Sequence, residues 1–341
     1  MQNIFYIGSY TQDKNEASIY HCLLNEHTAR LEIIGQTGGC ISPSYLAEKG
    51  GKVYAANEYD SGAGLSVFQT DHNGALTKLY DFETPGRAMC HLMLPPNAPL
   101  LFASNYTSGD MACIKLGENG EPLLVSDFIS HKTDSGEQPH VHSVTLTPDG
   151  RHVIIADLGK STLTVYRPDF MAGTLGKELQ CVQMPQGSGP RLLAFHPTQS
   201  WVLALCELSS TLYALSWNKK NGSLEIIGSC PTLAPDFTGE SYAGHIAFSP
   251  SGEYVYVSNR GEETIAIFEV LQNRELLPLG GFGCGGSWPR HFTFSQCGNW
   301  LFIANQRSCG VAVFRRCSDT RWKHTHTLEV QNPSFILEVR I

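Results

Sequence analysis

Two histidines, His140 and His142, flank a valine in EQPHVHSVTLTPDG (137–150). On a regular strand, residues two apart face the same side. The pair therefore has three chemical readings: half of a metal site, a general base, or polar residues at a strand's mouth. A metal site needs at least a third ligand, and no carboxylates converge on this pair in the sequence. Charged residues recur in comparable settings elsewhere: Glu58 in AANEYD, Arg191 in GSGPRLLAFHP, Glu207 in CELSSTLYAL, Arg260 in SNRGEETIAIF and Arg290 in WPRHFTFS. A guanidinium fork donates two parallel bonds to carboxylate or phosphate, so three arginines around one cavity suit an anionic small molecule. Three uncompensated guanidiniums in one place would be costly. The plainer alternative is that each arginine pairs with an Asp or Glu and ties neighbouring elements together.

What could gather residues so far apart is an internal repeat. Apolar runs ending in a small or amide residue occur seven times: YIGS, YAAN, FASN, IIAD, LALC, YVSN and FIAN. Their last residues, from Ser9 to Asn305, are spaced by 48, 48, 52, 49, 53 and 46. Around each run lie a proline-led segment such as PRLLAFHP, a turn such as PDG or PSG, a β-branched strand such as STLTVY, and a looser fourth strand. Period-2 alternation and Gly/Asn/Asp turns dominate, and no long helical period competes. Four short antiparallel strands repeated every 40–50 residues are the mark of a β-propeller blade. We therefore predict an all-β, seven-bladed β-propeller of four-stranded antiparallel blades, one domain over 1–341. The C-terminal NPSFILEV is expected as the inner strand of a blade whose second strand is the N-terminal IFYIGS. Pairing the two ends closes the ring and removes its exposed edges.

In such a ring the inner strands line a central channel. Counting back from each following turn places Ser44, Cys90, His142, Arg191, Gly244, Arg290 and Ser334 at one level of it. A second level, just past the small-residue strands, holds Tyr10, Glu58, Tyr106, Leu158, Glu207, Arg260 and Gln306. The ionisable candidates thus share one mouth. His140 is expected nearer the rim, where it touches either substrate or water. His142 is either a base or a channel histidine bonded to its neighbours.

Composition narrows the function classes. The chain has 42% hydrophobic and 16% charged residues, so it can bury a core, and its net charge of −8 argues against nucleic-acid or anionic-membrane partners. No apolar run reaches the ~18 residues of a membrane span. The N-terminus reads as a strand and not as a leader. Eleven scattered cysteines without a C-x-x-C read as reduced thiols of a cytoplasmic protein. GFGCGG (281–286) spells a dinucleotide motif but is expected in a loop with no helix after it. HTH (324–326) is expected on a solvated outer strand, and G-x-S-x-G and phosphate-loop motifs are missing.

The strings QPHVHSVTLTPDG, GSGPRLLAFHP, ELSSTLYAL, SPSGEYVYVSNRGEETIAIF and WPRHFTFS resemble the seven-bladed propeller lactonase family, typified by bacterial 6-phosphogluconolactonase and fungal carboxymuconate lactonizing enzyme. The resemblance runs from YIGSYT to NPSF. It implies that His142 is the catalytic histidine, that Arg191 and Glu207 join it, and that Arg260 and Arg290 bind substrate. Glu58, His140 and His245 are further substrate-binding candidates. Where the family commonly has a histidine after G-P-R, this chain has Leu192. Where it commonly has an acid and a histidine on the sixth inner strand, this chain has His245 and Ala247. The resemblance implies opening of an anionic sugar lactone, with 6-phosphogluconolactone of the pentose phosphate pathway foremost. It implies no cofactor and no metal, and a monomer or weak homo-oligomer. Lactonization of a muconate, or a non-catalytic propeller binding a small anion or a protein, are the alternatives.

Overall fold

The computed structural model describes residues 3–132 and 136–341. Its regular structure is 28 strands in seven four-stranded antiparallel sheets, with no helix among the described residues. None is therefore long and apolar enough to cross a membrane. Six blades are consecutive in sequence, over 43–84, 89–130, 141–183, 190–231, 242–283 and 289–329. The seventh is composite. Pro333–Arg340 forms its inner strand and pairs antiparallel with Asn3–Ser9, followed by Ile19–Asn25 and Arg30–Thr37. Ring closure is as expected.

Each blade hides its apolar side chains against the next, so the protein has seven cores and no single centre. Phe5 and Ile7 of the closing blade pack on Trp300 and Phe302, and Ile4 and Tyr6 pack on Leu46 and Val53 on the other side. A buried side chain of this size contributes roughly 1.5–3 kcal/mol, so the terminal strands stabilise two interfaces at once.

The amide residues that end the second strands have a structural task. Asn105 Nδ2 donates to Pro85 O at 3.1 Å, Asn259 Nδ2 to Thr232 O at 2.8 Å, and Asn305 Nδ2 to Cys284 O at 3.0 Å. All three are fully buried. Each ties down the chain leaving the previous blade, just before it enters the next inner strand. The loops at the channel mouth are thereby fixed.

Two expectations need correction. Gly281–Gly283 are not in a loop but complete the outer strand Leu276–Gly283: they pair with Thr264–Ala266 beyond a bulge at Leu279 and Gly280, where Gly280 takes a φ of +83°. In the HTH segment, His326 is not simply solvated: its Nε2 accepts the Leu31 N–H at 3.1 Å, joining the last blade to the closing one.

Candidate active site

In every blade the inner strand meets its neighbour through a β-bulge. The bulged residues are Ser44, Cys90, His142, Arg191, Gly244, Arg290 and Ser334. These are the seven positions expected from the repeat. A bulge leaves one residue outside the ladder and re-aims its side chain; here all seven line the central cavity. The cavity offers only about 30 Å³ to the centre of a water-sized sphere, so water fits and a sugar does not. A ligand must sit above, at the mouth. Proline precedes the bulge in four blades (Pro43, Pro190, Pro289, Pro333), where a missing N–H is tolerated.

The bulge also breaks the alignment that a regular strand would give the two histidines. Alternation fails between Val141 and Ser143, so His140 and His142 diverge. Pro139 and His140 precede the strand. His140 Nδ1 donates to Tyr106 O at 3.0 Å, its ring stacks on Tyr106 with centroids 4.5 Å apart, and its N–H is held by Asp157 Oδ1 at 2.9 Å. His142 instead meets the edge of Tyr106 and turns inward. Among the described residues, no three His, Cys, Asp or Glu side chains are grouped as a metal site requires.

Arg191 is the hub. Its Nη1 donates to Glu207 Oε2 at 2.6 Å and to His142 Nε2 at 2.5 Å, and its Nε donates to Gly244 O at 2.7 Å. Arg260 Nη2 reaches the same Glu207 oxygen at 3.0 Å, while its Nε donates to Tyr242 O at 3.0 Å. Arg290 Nη2 pairs with Glu58 Oε2 at 3.2 Å, and its guanidinium lies over Tyr10, whose hydroxyl donates to the same oxygen at 2.6 Å. The plainer alternative for the arginines is therefore realised in geometry, because each has a carboxylate. Three cations nevertheless share two anions. Arg191 Nη2, Arg260 Nη1 and Arg290 Nε and Nη1 keep no partner among the described residues. Glu207, expected to join His142, bonds Arg191 and Arg260 and not the histidine.

The electrostatics follow. Burial opposes the charge of Glu207, but Arg191 and Arg260 outweigh it and hold the carboxyl below its usual range. Burial pulls Arg260 down to about 10, leaving it a cation at neutral pH. Burial, then Arg191 and Arg290, push His142 well below the ordinary imidazole value. His142 is thus neutral. Since Arg191 can only donate, Nε2 is the acceptor and Nδ1 carries the proton, and Nδ1 has no partner.

His245 was expected to bind substrate. It lies one residue past the bulge and so belongs to a deeper layer, with its ring 4.1 Å from His291 and edge-on to Phe292. Burial lowers its pKa to about 3. Leu192 occupies the same layer. This layer was missed in the sequence. His91, Tyr45, Phe335, His291 and His245 form a band of successive ring contacts at 4.3, 4.2, 4.0 and 4.1 Å. The signal was available: each ring directly follows a position already in register. Trp288, whose ring faces the Arg260 guanidinium with centroid and guanidinium carbon 5.4 Å apart, was also missed.

Comparison with known proteins agrees with this construction. The chain is 30% identical to 6-phosphogluconolactonase of Bacillus subtilis over 295 residues, 84% of this chain and 83% of that one. Among solved structures, a Lactobacillus plantarum protein superposes with a TM-score of 0.92 at 25% identity, covering 100% of both chains. A periplasmic gluconolactonase of Pseudomonas aeruginosa superposes with a TM-score of 0.90 at 25% identity, covering 100% of this chain and 99% of that one. The profile described as "Lactonase, 7-bladed beta-propeller" matches residues 4–337, so nearly the whole ring, mouth included, belongs to the seven-bladed β-propeller lactonase family.

Proposed function

We propose that this chain is a hydrolase of lactones bearing an anionic group, with 6-phosphoglucono-1,5-lactone as its substrate and 6-phosphogluconate, a pentose phosphate pathway intermediate, as its product. The observation that carries this reading is a neutral histidine at a channel mouth beside three arginines with free N–H groups and only two carboxylates. The relative in Bacillus subtilis supports the phosphorylated substrate. The eleven free cysteines, seven of them buried, favour a reducing compartment and hence the cytoplasm.

In the resting site Arg191 occupies the lone pair of His142. Binding of the lactone carbonyl oxygen to Arg191 draws that donor away and frees Nε2. His142 then takes a proton from a water as its oxygen attacks the carbonyl carbon. The tetrahedral oxyanion rests on Arg191, a contribution of about 3 kcal/mol for one such donor. Collapse breaks the bond to the ring oxygen, and the imidazolium returns the proton to that leaving oxygen. Base assistance of this kind contributes roughly 10²–10⁴ in rate. Arg260 holds the anionic group, and Arg290 a substrate oxygen on the opposite side. The substrate's negative charge favours the imidazolium and moves His142 back toward a useful basicity.

The test is hydrolysis of 6-phosphogluconolactone by chelator-treated protein in a pH-stat. Rates above spontaneous opening support the substrate; no excess rejects it. Full activity of His142→Ala on a substrate the wild type turns over rejects the base. Activity on carboxymuconate alone selects the lactonizing reaction.

A further inference from the structure

Trp288 stands just outside the arginine layer and is held unusually. Its φ is +64°, a left-handed backbone that a bulky side chain rarely adopts. Glu263 holds it there: one carboxylate oxygen accepts the Trp288 N–H, and the other accepts the Ser287 hydroxyl at 3.1 Å. The Gln306 N–H donates to Trp288 O at 3.0 Å, and the Arg307 N–H donates to Ser287 O at 3.1 Å. These bonds lay the two loops side by side. As a result the Arg307 guanidinium carbon sits 3.3 Å from the centre of the indole ring, and that of Arg260 sits 5.4 Å from the same centre. The two cations therefore cannot be farther apart than those two distances together.

Arg307 is exposed, and its side chain has no ion pair or hydrogen bond among the described residues. Stacking occupies the face of a guanidinium and leaves its edge of N–H donors available. Arg260 likewise keeps Nη1 free among the described residues. Glu263, the nearest carboxylate in this network, is taken up by the backbone of Trp288 and by Ser287.

We propose that Arg307, positioned by Trp288, is a specificity-determining residue that receives, together with Arg260, the remote phosphate of a phosphorylated lactone. The balance of charge supports the assignment. Three arginines and two glutamates leave the inner mouth one cation in excess, which suits the single oxyanion formed at the lactone carbonyl. Arg307 adds a second cation at the rim, and a phosphate monoester carries about −1.5 to −2 at neutral pH. An unphosphorylated lactone has no use for it. The inference rests on the anionic-lactone reading but concerns which anion is preferred.

Two measurements test it. The first is calorimetric binding of 6-phosphogluconate and of gluconate to wild type, Arg307→Gln and Arg307→Lys. The wild type should prefer the phosphorylated acid, and Arg307→Gln should lower that preference about tenfold, the loss of one charge-assisted contact at a wet rim. Arg307→Lys should keep part of it, having the charge without the planar stack. The second is the salt dependence of 6-phosphogluconate binding, which should be steeper for wild type than for Arg307→Gln. Equal losses for both acids, or a preference that survives Arg307→Gln, overturn the assignment, as does a wild type that binds neither acid. If the wild type hydrolyses neither lactone yet its phosphate preference follows Arg307, the proposed reaction fails and the phosphate site stands.

Discussion

Glu207→Gln separates two roles that the geometry assigns to one carboxylate. Glu207 accepts from Arg191 at 2.6 Å and from Arg260 at 3.0 Å, and its side chain is only 14% exposed. Removing one partner of a buried ion pair costs about 3–5 kcal/mol. Glutamine keeps the shape and one acceptor oxygen, so the loss should sit near 3 kcal/mol. For a chain of 341 residues that lowers Tm by about 4 °C. Ligand binding should move the other way. A carboxylate ~6 Å from a bound anion repels it by roughly 3 kcal/mol at an effective dielectric of 20. Water at the mouth screens this to about 1–2 kcal/mol. Affinity for 6-phosphogluconate should therefore rise about tenfold, while kcat falls because Arg191 loses its anchor. Thermal melting and titration calorimetry on the same preparation read both effects. An unchanged Tm would mean that Glu207 does not compensate the two arginines. Weaker anion binding would mean that it acts by positioning and not by charge.

The kcat/KM profile should stay flat from alkaline pH down past 6.5 and fall only at more acid pH, because His142 must be neutral to act and its pKa is lowered; the acid limb of kcat should lie at higher pH, and a kcat/KM limb at 6.5 or above contradicts the assignment. Stability should also fall with acid through the inner histidines. His91 is buried and lowered to about 3 by burial first and Arg191 second, so the unfolded chain binds its proton at higher pH than the folded one does. Its contribution is complete above the unfolded value of about 6.5 and declines below it, by about 3 kcal/mol at pH 4.5. Urea unfolding at pH 7.5 and 4.5 should show a smaller pH difference for His91→Phe than for wild type, and an equal difference refutes this. Gly244→Ala should lower both Tm and activity, since a Cβ there would stand 2.7 Å from the Pro289 carbonyl oxygen and disturb the carbonyl that holds Arg191; a Tm within about 1 °C of wild type would show that the ring accommodates it.

The repeat, the ring and its closure were legible because they rest on local signals: period-2 alternation, turn residues and the spacing of small-residue strands. The same register placed His142, Arg191 and Arg290 at one level, since equivalent positions in a closed ring must face one axis. Several features lay beyond it. The register set His140 apart toward the rim, but the bulge between Val141 and Ser143 that turns His142 inward is marked by nothing in PHVHSV. Partners in other blades were also hidden. Arg290 meets Glu58 across 232 residues, and Arg191 reaches His142 of the preceding blade. The sequence by itself determined which residues stand at the mouth. Only the tertiary structure decided that three arginines share two carboxylates, that the lone pair of His142 is occupied at rest, and that five rings line the cavity beneath. Those facts depend on distances between blades, and side chains from different blades meet only once the ring has closed.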